Sequence, residues 1–195
     1  MPETIATKDI YKGSIFDVRV DTIRDGEIEY ERDIIAHPGS GVIVPVFEDG
    51  TVALVRQYRH AAGKSLLEIP AGSLDDGESP EMGARRELEE EIGVIAENFE
   101  QIAAFFVSPG FLTEKMYVFL ATGLKETNQS LDDDEIVEIG RISFEKAFDM
   151  IRNGEIEDAK TIVGLTMAAA ALELLKMAAL QKPALSKGTV SQHSR

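Results

Sequence analysis

Three glutamates on one predicted helix have a spacing that suggests chemistry. Glu87, Glu90 and Glu91 lie at positions i, i+3 and i+4. On an α-helix this spacing places all three carboxylates on one face, where like charges repel each other. Clustered carboxylate oxygens are ligands that Mg²⁺ and Mn²⁺ prefer. The spacing therefore favours a divalent cation site, although three glutamates alone also fit a solvated acidic face.

The arginines of the same helix can neutralise only part of this charge. At a spacing of four, Arg86 can pair with Glu90 and Arg85 with Glu89. No arginine lies three or four residues from Glu87 or from the last glutamate of the cluster. The pattern predicts a local deficit of positive charge, which a bound cation would fill.

Local signals define the helix that carries the glutamates. Ser79 can cap its N-terminus, and Pro80 suits the first helical position. Gly93 is well placed to end it. We therefore expect a helix over residues 80–92.

The elements around this helix alternate between strand-like and helix-like patterns. Asp25-Gly26 is a strong hairpin signal between two alternating segments. Strands and helices in this mixture predict an α+β fold, with a mixed β-sheet between helices. The predicted strands are 14–23, 28–35, 42–47, 51–58, 101–108, 116–121 and 136–142, and the predicted later helices are about 143–153 and 158–180.

Composition excludes several classes of function. The chain has 195 residues, 44% of them hydrophobic, and a formal net charge of −15. Such an acidic surface disfavours nucleic-acid binding, so no nucleic-acid partner is expected. Without cysteine there is no disulfide, thiolate nucleophile or cysteine-ligated zinc. The apolar segment 161–180 contains Glu173 and Lys176, which favour a packed helix over a membrane span. With no visible secretory signal, the default location is cytoplasmic.

The segment from residue 72 to residue 94 resembles the Nudix box. That pattern is Gly, five residues, Glu, seven residues, Arg-Glu, an aliphatic residue, any residue, Glu-Glu, any residue, Gly and an aliphatic residue. All nine defined positions match, over 23 residues. The matching positions are Gly72, Glu78, Arg86, Glu87, Leu88, Glu90, Glu91, Gly93 and Val94.

The resemblance implies a fold, a cofactor and residue roles. Nudix hydrolases have an α/β/α sandwich and cleave nucleoside diphosphates linked to another group with the help of a divalent metal, here Mg²⁺ or alternatively Mn²⁺. In the family, the residues matching Glu87 and Glu91 ligate metal, often with Glu90 and the carbonyl of Ala71. The residue matching Arg86 orients the glutamates. The matching Glu78 supports the loop and is not expected to be catalytic.

Residues outside the box resemble the ADP-ribose pyrophosphatase subfamily. The resemblance rests on VRQYRH and EIPAG before the box and on SPGFLTE after it, with Pro109 lying 15 residues beyond the box. It implies hydrolysis of ADP-ribose to AMP and ribose 5-phosphate. Another nucleoside diphosphate sugar, such as GDP-mannose, remains an alternative substrate. A non-catalytic ADP-ribose sensor and an acidic interaction scaffold are further alternatives.

Candidate substrate contacts follow from the same resemblance. The arginine matching Arg59 touches ligand phosphates in relatives, and Arg32 is a second candidate for this role. Tyr30 or Phe16 could stack on adenine, although strand aromatics more often belong to a core. Pro109 is another candidate, favoured by its position, with an ordinary turn as the alternative. In the same loop, Glu114 is a further ligand-side candidate.

The general base is expected outside the box. In the resembling subfamily a carboxylate from a later loop takes or orients the proton of the attacking water. The matching loop here is SLDDDEIVE, where Glu135 aligns best and Glu138 next. A solvated acidic loop is the alternative.

Three regions are expected along the chain. Residues 1–38 form an N-terminal β unit for dimerisation and nucleotide contact, residues 39–180 form the hydrolase domain, and residues 181–195 form a flexible tail. A two-stranded hairpin is marginal alone and must pack on something. In the resembling subfamily such strands help to form a symmetric dimer, so a homodimer is expected.

Overall fold

The computed structural model describes residues 1–129 and 138–181 and contains ten strands and three α-helices within them. The strands are β1 (Glu3–Lys12), β2 (Asp17–Asp25), β3 (Ile28–Ala36), β4 (Ser40–Pro45), β5 (Thr51–Arg59), β6 (Lys64–Glu68), β7 (Ala71–Ser73), β8 (Val94–Phe106), β9 (Lys115–Glu126) and β10 (Glu138–Ser143). The helices are α1 (Pro80–Ile92), α2 (Phe144–Arg152) and α3 (Ala159–Gln181).

The first three strands form a separate antiparallel sheet in the order β1-β2-β3. The predicted hairpin between β2 and β3 is confirmed, with Asp25 paired to Ile28 and Gly26 at a φ of 62°. The interpretation of this unit as two strands was wrong, because β1 adds a third strand along β2. All ten residues of β1 are exposed in this chain.

Two further sheets form the centre of the molecule. The strand order of one is β7-β4-β9-β8, in which β4 and β9 run parallel and the other pairs are antiparallel. The other is antiparallel with the order β10-β5-β6. All six residues of β4 are buried, as expected for a strand covered on both faces.

Helices cover both faces of the strand β4. Because successive side chains of a strand point to opposite faces, β4 contributes to two cores. Val42 and Val44 pack in a core that includes Leu165 of α3, and Ile43 packs in another core with Leu88 of α1. The predicted α/β/α arrangement with a mixed sheet is confirmed.

Helix α1 has the predicted bounds and caps. The Ser79 side chain accepts a hydrogen bond from the backbone N–H of Met82, Pro80 occupies the first turn, and Gly93 ends the helix with a φ of 70°. The observed α2 and α3 lie within one residue of their predicted bounds at each end. Within 1–129 and 138–181, no helix is both long and apolar enough to cross a bilayer.

Some strands differ from their predicted bounds. Strand β8 begins directly after α1 at Val94, seven residues before the predicted start. The short strands β6 and β7 were not predicted, and β7 contains only Ala, Gly and Ser, which are poor strand formers. Residues 136 and 137 of the last predicted strand lie outside the described residues.

Candidate active site

A cleft of about 800 Å³ opens beside β7 and α1, the strand and helix that carry the Nudix-like motif. It brings together residues that are far apart in the chain. Its lining residues are Ile15, Ser40, Gln57, Tyr58, Arg59, His60, Ala71, Gly72, Ser73, Asp75, Arg86, Glu87, Glu90, Glu114, Met116 and Lys160.

Two glycines allow α1 to lie close to the sheet. A Cβ atom added to Gly72 would lie 1.9 Å from a carboxylate oxygen of Glu87. A Cβ atom added to Gly41 on β4 would lie 2.8 Å from the backbone nitrogen of Ala84. Glycine at these positions therefore lets the helix and the Glu87 carboxylate approach the β-strand backbone.

Arg86 connects the helix glutamates to the preceding loop. Its Nη1 donates to Oε1 of Glu87 at 2.7 Å and to Oε2 of Glu90 at 2.8 Å. Its other nitrogens donate to the Glu78 carboxylate at 3.2 Å and to the carbonyl of Ser73. The hydrogen bond to Glu78 is the main reason why the pKa of Arg86 is raised, and the same bond lowers the pKa of Glu78.

The charge balance on α1 differs from the prediction in two ways. Glu87 was expected to lack an arginine partner, but its sequence neighbour Arg86 reaches it. Arg85 pairs with Glu81, at 3.0 Å, and not with Glu89 as predicted. The guanidinium of Arg85 lies 4.3 Å from the ring centroid of Phe99 on β8, which favours this orientation. The predicted Arg86–Glu90 pair is confirmed.

Glu91 lies in the interior beside the strand that precedes the helix. Only 2% of the residue is exposed, and its Oε2 accepts a hydrogen bond of 3.2 Å from the backbone N–H of Ala71. In the described part of the chain, no three acidic or histidine side chains form a ready-made cation cluster. The all-oxygen donor set and the cleft beside Gly72 fit Mg²⁺, if Glu87 and Glu90 exchange their arginine contacts for the ion.

Arg59 is held in the cleft by a buried carboxylate. Its Nε and Nη2 donate to the two oxygens of Glu68 at 2.8 and 2.7 Å. Glu68 is 1% exposed and also binds Lys160, whose Nζ lies 3.2 Å from Asp158. Burial alone would raise the pKa of Glu68, but the Arg59 hydrogen bond and the Lys160 charge outweigh it and lower that pKa. The same pairing raises the pKa of Arg59.

Glu114 also lines the cleft and belongs to a second polar network. Its Oε1 accepts a 2.7 Å hydrogen bond from the Ser40 hydroxyl and lies 4.0 Å from Nδ1 of His37. That Nδ1 also accepts a hydrogen bond from the backbone N–H of Gly39. Pro109 does not line the cleft, but it belongs to the loop that presents Glu114.

Three predicted substrate contacts besides Pro109 lie outside this chain's own cleft. The Arg32 guanidinium lies 4.3 Å from the Tyr30 ring centroid and donates to the carbonyl of Glu31. Phe16 is exposed and has its ring 6.3 Å from that of Tyr11. The neighbouring residue, Ile15, does line the cleft.

Of the two candidates for the general base, Glu135 lies outside the described residues. Glu138 is exposed at the start of β10, paired in register with Arg56, and does not line the cleft.

The fold and the cleft together define an α/β/α enzyme with a carboxylate-rich helix against a glycine-containing strand. The chain belongs to the NUDIX family, since the sequence profile described as "NUDIX domain" matches residues 37–163.

Several known proteins are similar to this chain over most of its length. It is 39% identical over 163 residues to "ADP-ribose pyrophosphatase" of Bacillus subtilis (strain 168), covering 82% of this chain and 88% of that protein. It is 36% identical to "Methanol dehydrogenase activator" of Bacillus methanolicus, covering 84% and 90%. A solved structure described as "Crystal structure of ADP compounds hydrolase" matches with a TM-score of 0.79 and 21% identity, covering 89% and 95%.

Proposed function

We propose that this enzyme hydrolyses the pyrophosphate of ADP-ribose to AMP and ribose 5-phosphate. The observation that carries the proposal is that four positions of the Nudix motif, Gly72, Arg86, Glu87 and Glu90, line the same cleft as Arg59 and Lys160. The ADP-ribose pyrophosphatases of Bacillus subtilis and Mycobacterium tuberculosis, at 39% and 35% identity, support this substrate.

The carboxylates would hold the divalent ion on which enzymes of this class generally depend. Glu87, Glu90, Glu91 and the carbonyl of Ala71 are the proposed ligands of Mg²⁺, with Mn²⁺ as a possible substitute. When bound, such an ion neutralises phosphate charge and lowers the pKa of bound water. Before the ion binds, Arg86 keeps Glu87 and Glu90 oriented through the contacts described above.

Cationic side chains explain how an acidic chain could accept an anionic substrate. The formal net charge is −15, so an anionic pyrophosphate needs local positive charge. Arg59 offers a planar fork suited to phosphate, and Glu68 fixes its orientation before the substrate arrives. We therefore propose Arg59 as the phosphate contact and Glu114, which lines the same cleft, as a contact to the sugar or nucleoside portion. The cysteine-free chain suits a reducing cytoplasm.

Product analysis tests the proposed substrate directly. The purified protein is incubated with ADP-ribose and Mg²⁺, and the products are separated by chromatography. We expect equal amounts of AMP and ribose 5-phosphate, and none when EDTA is present. GDP-mannose and other nucleoside diphosphate sugars are run in parallel, because relatives at 33% identity are GDP-mannose pyrophosphatases. A kcat/KM that is higher for GDP-mannose than for ADP-ribose would make GDP-mannose the preferred substrate. Binding of ADP-ribose without turnover would favour a sensor.

We propose that Glu135 positions the water or accepts its proton, with Glu138 as the alternative. Glu135→Gln should lower kcat much more than it weakens substrate binding, because the amide cannot accept that proton. The measurement is steady-state kinetics beside Glu138→Gln, a matched change three residues along the chain. If Glu138→Gln loses kcat and Glu135→Gln is silent, the assignment moves to Glu138.

We propose that residues 1–38 form a unit that pairs two copies of the chain, distinct from the catalytic region 39–180 and the tail 181–195. The N-terminal sheet leaves large apolar side chains exposed. Exposed apolar surface of this kind is typical of an interface. The side chains concerned are Ile5, Ile10, Tyr11, Ile15, Phe16 and Ile28. In a symmetric dimer, Tyr30 or Phe16 would stack on adenine, and Arg32 would contact phosphate, in the partner's cleft.

Deleting residues 1–36 should give a monomer that binds ADP-ribose much more weakly. Light scattering measures the mass, and calorimetry with EDTA present measures affinity. Because Ile35 bonds to Phe111 and Thr113 of the catalytic region, Phe16→Ala and Tyr30→Ala in the full chain provide a milder test. One of these should weaken binding about 10-fold with the dimer intact. An intact protein that is monomeric at micromolar concentration would remove the proposal.

A further inference from the structure

Gln57 has a buried side-chain oxygen to which no described residue donates a hydrogen bond. It lies on β5 and lines the cleft. Among the described residues, its Oε1 is the one side-chain nitrogen or oxygen atom that is buried and lacks a partner. Buried polar atoms are nearly always hydrogen-bonded, and leaving one without a partner destabilises the folded state. The position of Gln57 therefore calls for a hydrogen-bond donor that the described residues do not supply.

The location of Gln57 limits what that donor can be. It precedes Arg59 by two residues on the same strand, so both side chains point to the same face, about 7 Å apart along the strand. If Arg59 binds a phosphate, the sugar esterified to that phosphate extends beyond it. The sugar hydroxyl groups then lie at about the distance that separates Gln57 from Arg59. An amide oxygen only accepts hydrogen bonds. Ionised phosphate oxygens cannot donate to it, whereas a sugar hydroxyl can.

We propose that Oε1 of Gln57 accepts a hydrogen bond from a sugar hydroxyl of the bound nucleoside diphosphate sugar and helps to select such substrates. This role rests on the proposed function, because it requires a pyrophosphate at Arg59. Gln57 is a binding residue here and takes no part in bond breaking. Ligands that lack this hydroxyl leave the buried oxygen of Gln57 without a donor. The site therefore discriminates against them.

Gln57→Met tests the proposal, because methionine has a similar length and no comparable acceptor. Removing an oxygen that has no partner in the free protein should leave the melting temperature unchanged or raise it. The affinity for ADP-ribose should fall about 10-fold or more. Calorimetry with EDTA present measures affinity without hydrolysis. Gln57→Leu is the second variant, and Gln101→Met on the exposed part of β8 is the matched control.

Ligands that each lack one part of ADP-ribose show which hydroxyl Gln57 binds. ADP lacks the terminal ribose, and the 2′-deoxyadenosine form of ADP-ribose lacks a hydroxyl of the other ribose. The ligand without the relevant hydroxyl should bind wild type and Gln57→Met equally, whereas the other ligands should bind the variant more weakly.

Two results would overturn the role of Gln57. One is a lower melting temperature with unchanged affinity, which indicates structural packing. The other is that wild type and Gln57→Met bind ADP-ribose, ADP and the 2′-deoxy ligand with equal affinity. This result indicates that only water contacts the oxygen. A wild-type protein that binds ADP-ribose without hydrolysing it would refute the proposed activity alone, because the comparison of affinities is still decisive for Gln57.

Discussion

Replacing Glu91 with glutamine should reduce kcat on the order of 100-fold or more while the protein still folds. The substitution keeps the size of the side chain, and an amide oxygen can still accept the hydrogen bond from the N–H of Ala71. It removes the negative charge that a metal ligand needs. Because the residue is only 2% exposed, losing this charge also lowers the cost of burial, so the fold should tolerate the change.

Glu89→Gln is a matched control for this prediction. Glu89 lies two residues away on the same helix, is exposed, and accepts a hydrogen bond from the Thr127 hydroxyl that an amide oxygen could also accept. It should keep wild-type kcat. Mn²⁺ titration followed by electron paramagnetic resonance should show weaker ion binding for Glu91→Gln and normal binding for the control. Near wild-type turnover of Glu91→Gln at saturating Mg²⁺ would exclude Glu91 as an essential ligand.

The parts of the fold that local chemistry decides could be predicted from the sequence. Helix α1 has its cap at Ser79, its proline at the first position and its glycine at residue 93, so its bounds follow from neighbouring residues alone. The layered fold followed from the mixture of strand and helix patterns. Strand β1 lacked such a signal, because both its faces are exposed in the chain and no apolar alternation is required.

Ion-pair partners on α1 could be predicted only in part. Sequence spacing allows Arg85 to pair with either Glu81 or Glu89, four residues away in opposite directions. The observed choice is associated with the Phe99 ring, which belongs to β8 and is fixed by tertiary packing. Spacing rules also ignore contacts between sequence neighbours, so the bond from Arg86 to Glu87 was missed.

Other functional candidates were missed because long-range packing creates them. The sequence showed Glu68 only as part of the EIPAG segment and indicated no role for it. Its partner Lys160 lies 92 residues further along the chain. The contact between Glu68 and Lys160 depends on how α3 packs against β6, and the contact between Glu68 and Arg59 joins β6 to β5. Gln57 has a sequence signal, a polar residue two positions before Arg59 on a buried strand, but its missing partner is visible only in three dimensions.

Alanine at Gly72 should reduce kcat on the order of 100-fold with little loss of stability. The added Cβ would lie 1.9 Å from a Glu87 oxygen, whereas real Cβ contacts under 3.0 Å are essentially never seen. The carboxylate must therefore move by about 1 Å or more, a displacement that can cost about 100-fold in rate. Because the obstructing atoms are the end of a flexible side chain, the backbone can stay in place. Steady-state kinetics and thermal melting measure the two effects.

Two other glycines separate this effect from a general intolerance of alanine. Gly140→Ala on β10 has no atom of the described residues within 4 Å of its added Cβ and should change neither rate nor melting temperature. Gly41→Ala meets the backbone of Ala84 at 2.8 Å, and since that backbone cannot move without shifting α1, it should destabilise the fold by about 1–3 kcal/mol. If Gly72→Ala instead melts as low as Gly41→Ala, or keeps wild-type kcat, then Gly72 does not provide the space that the Glu87 carboxylate needs for catalysis.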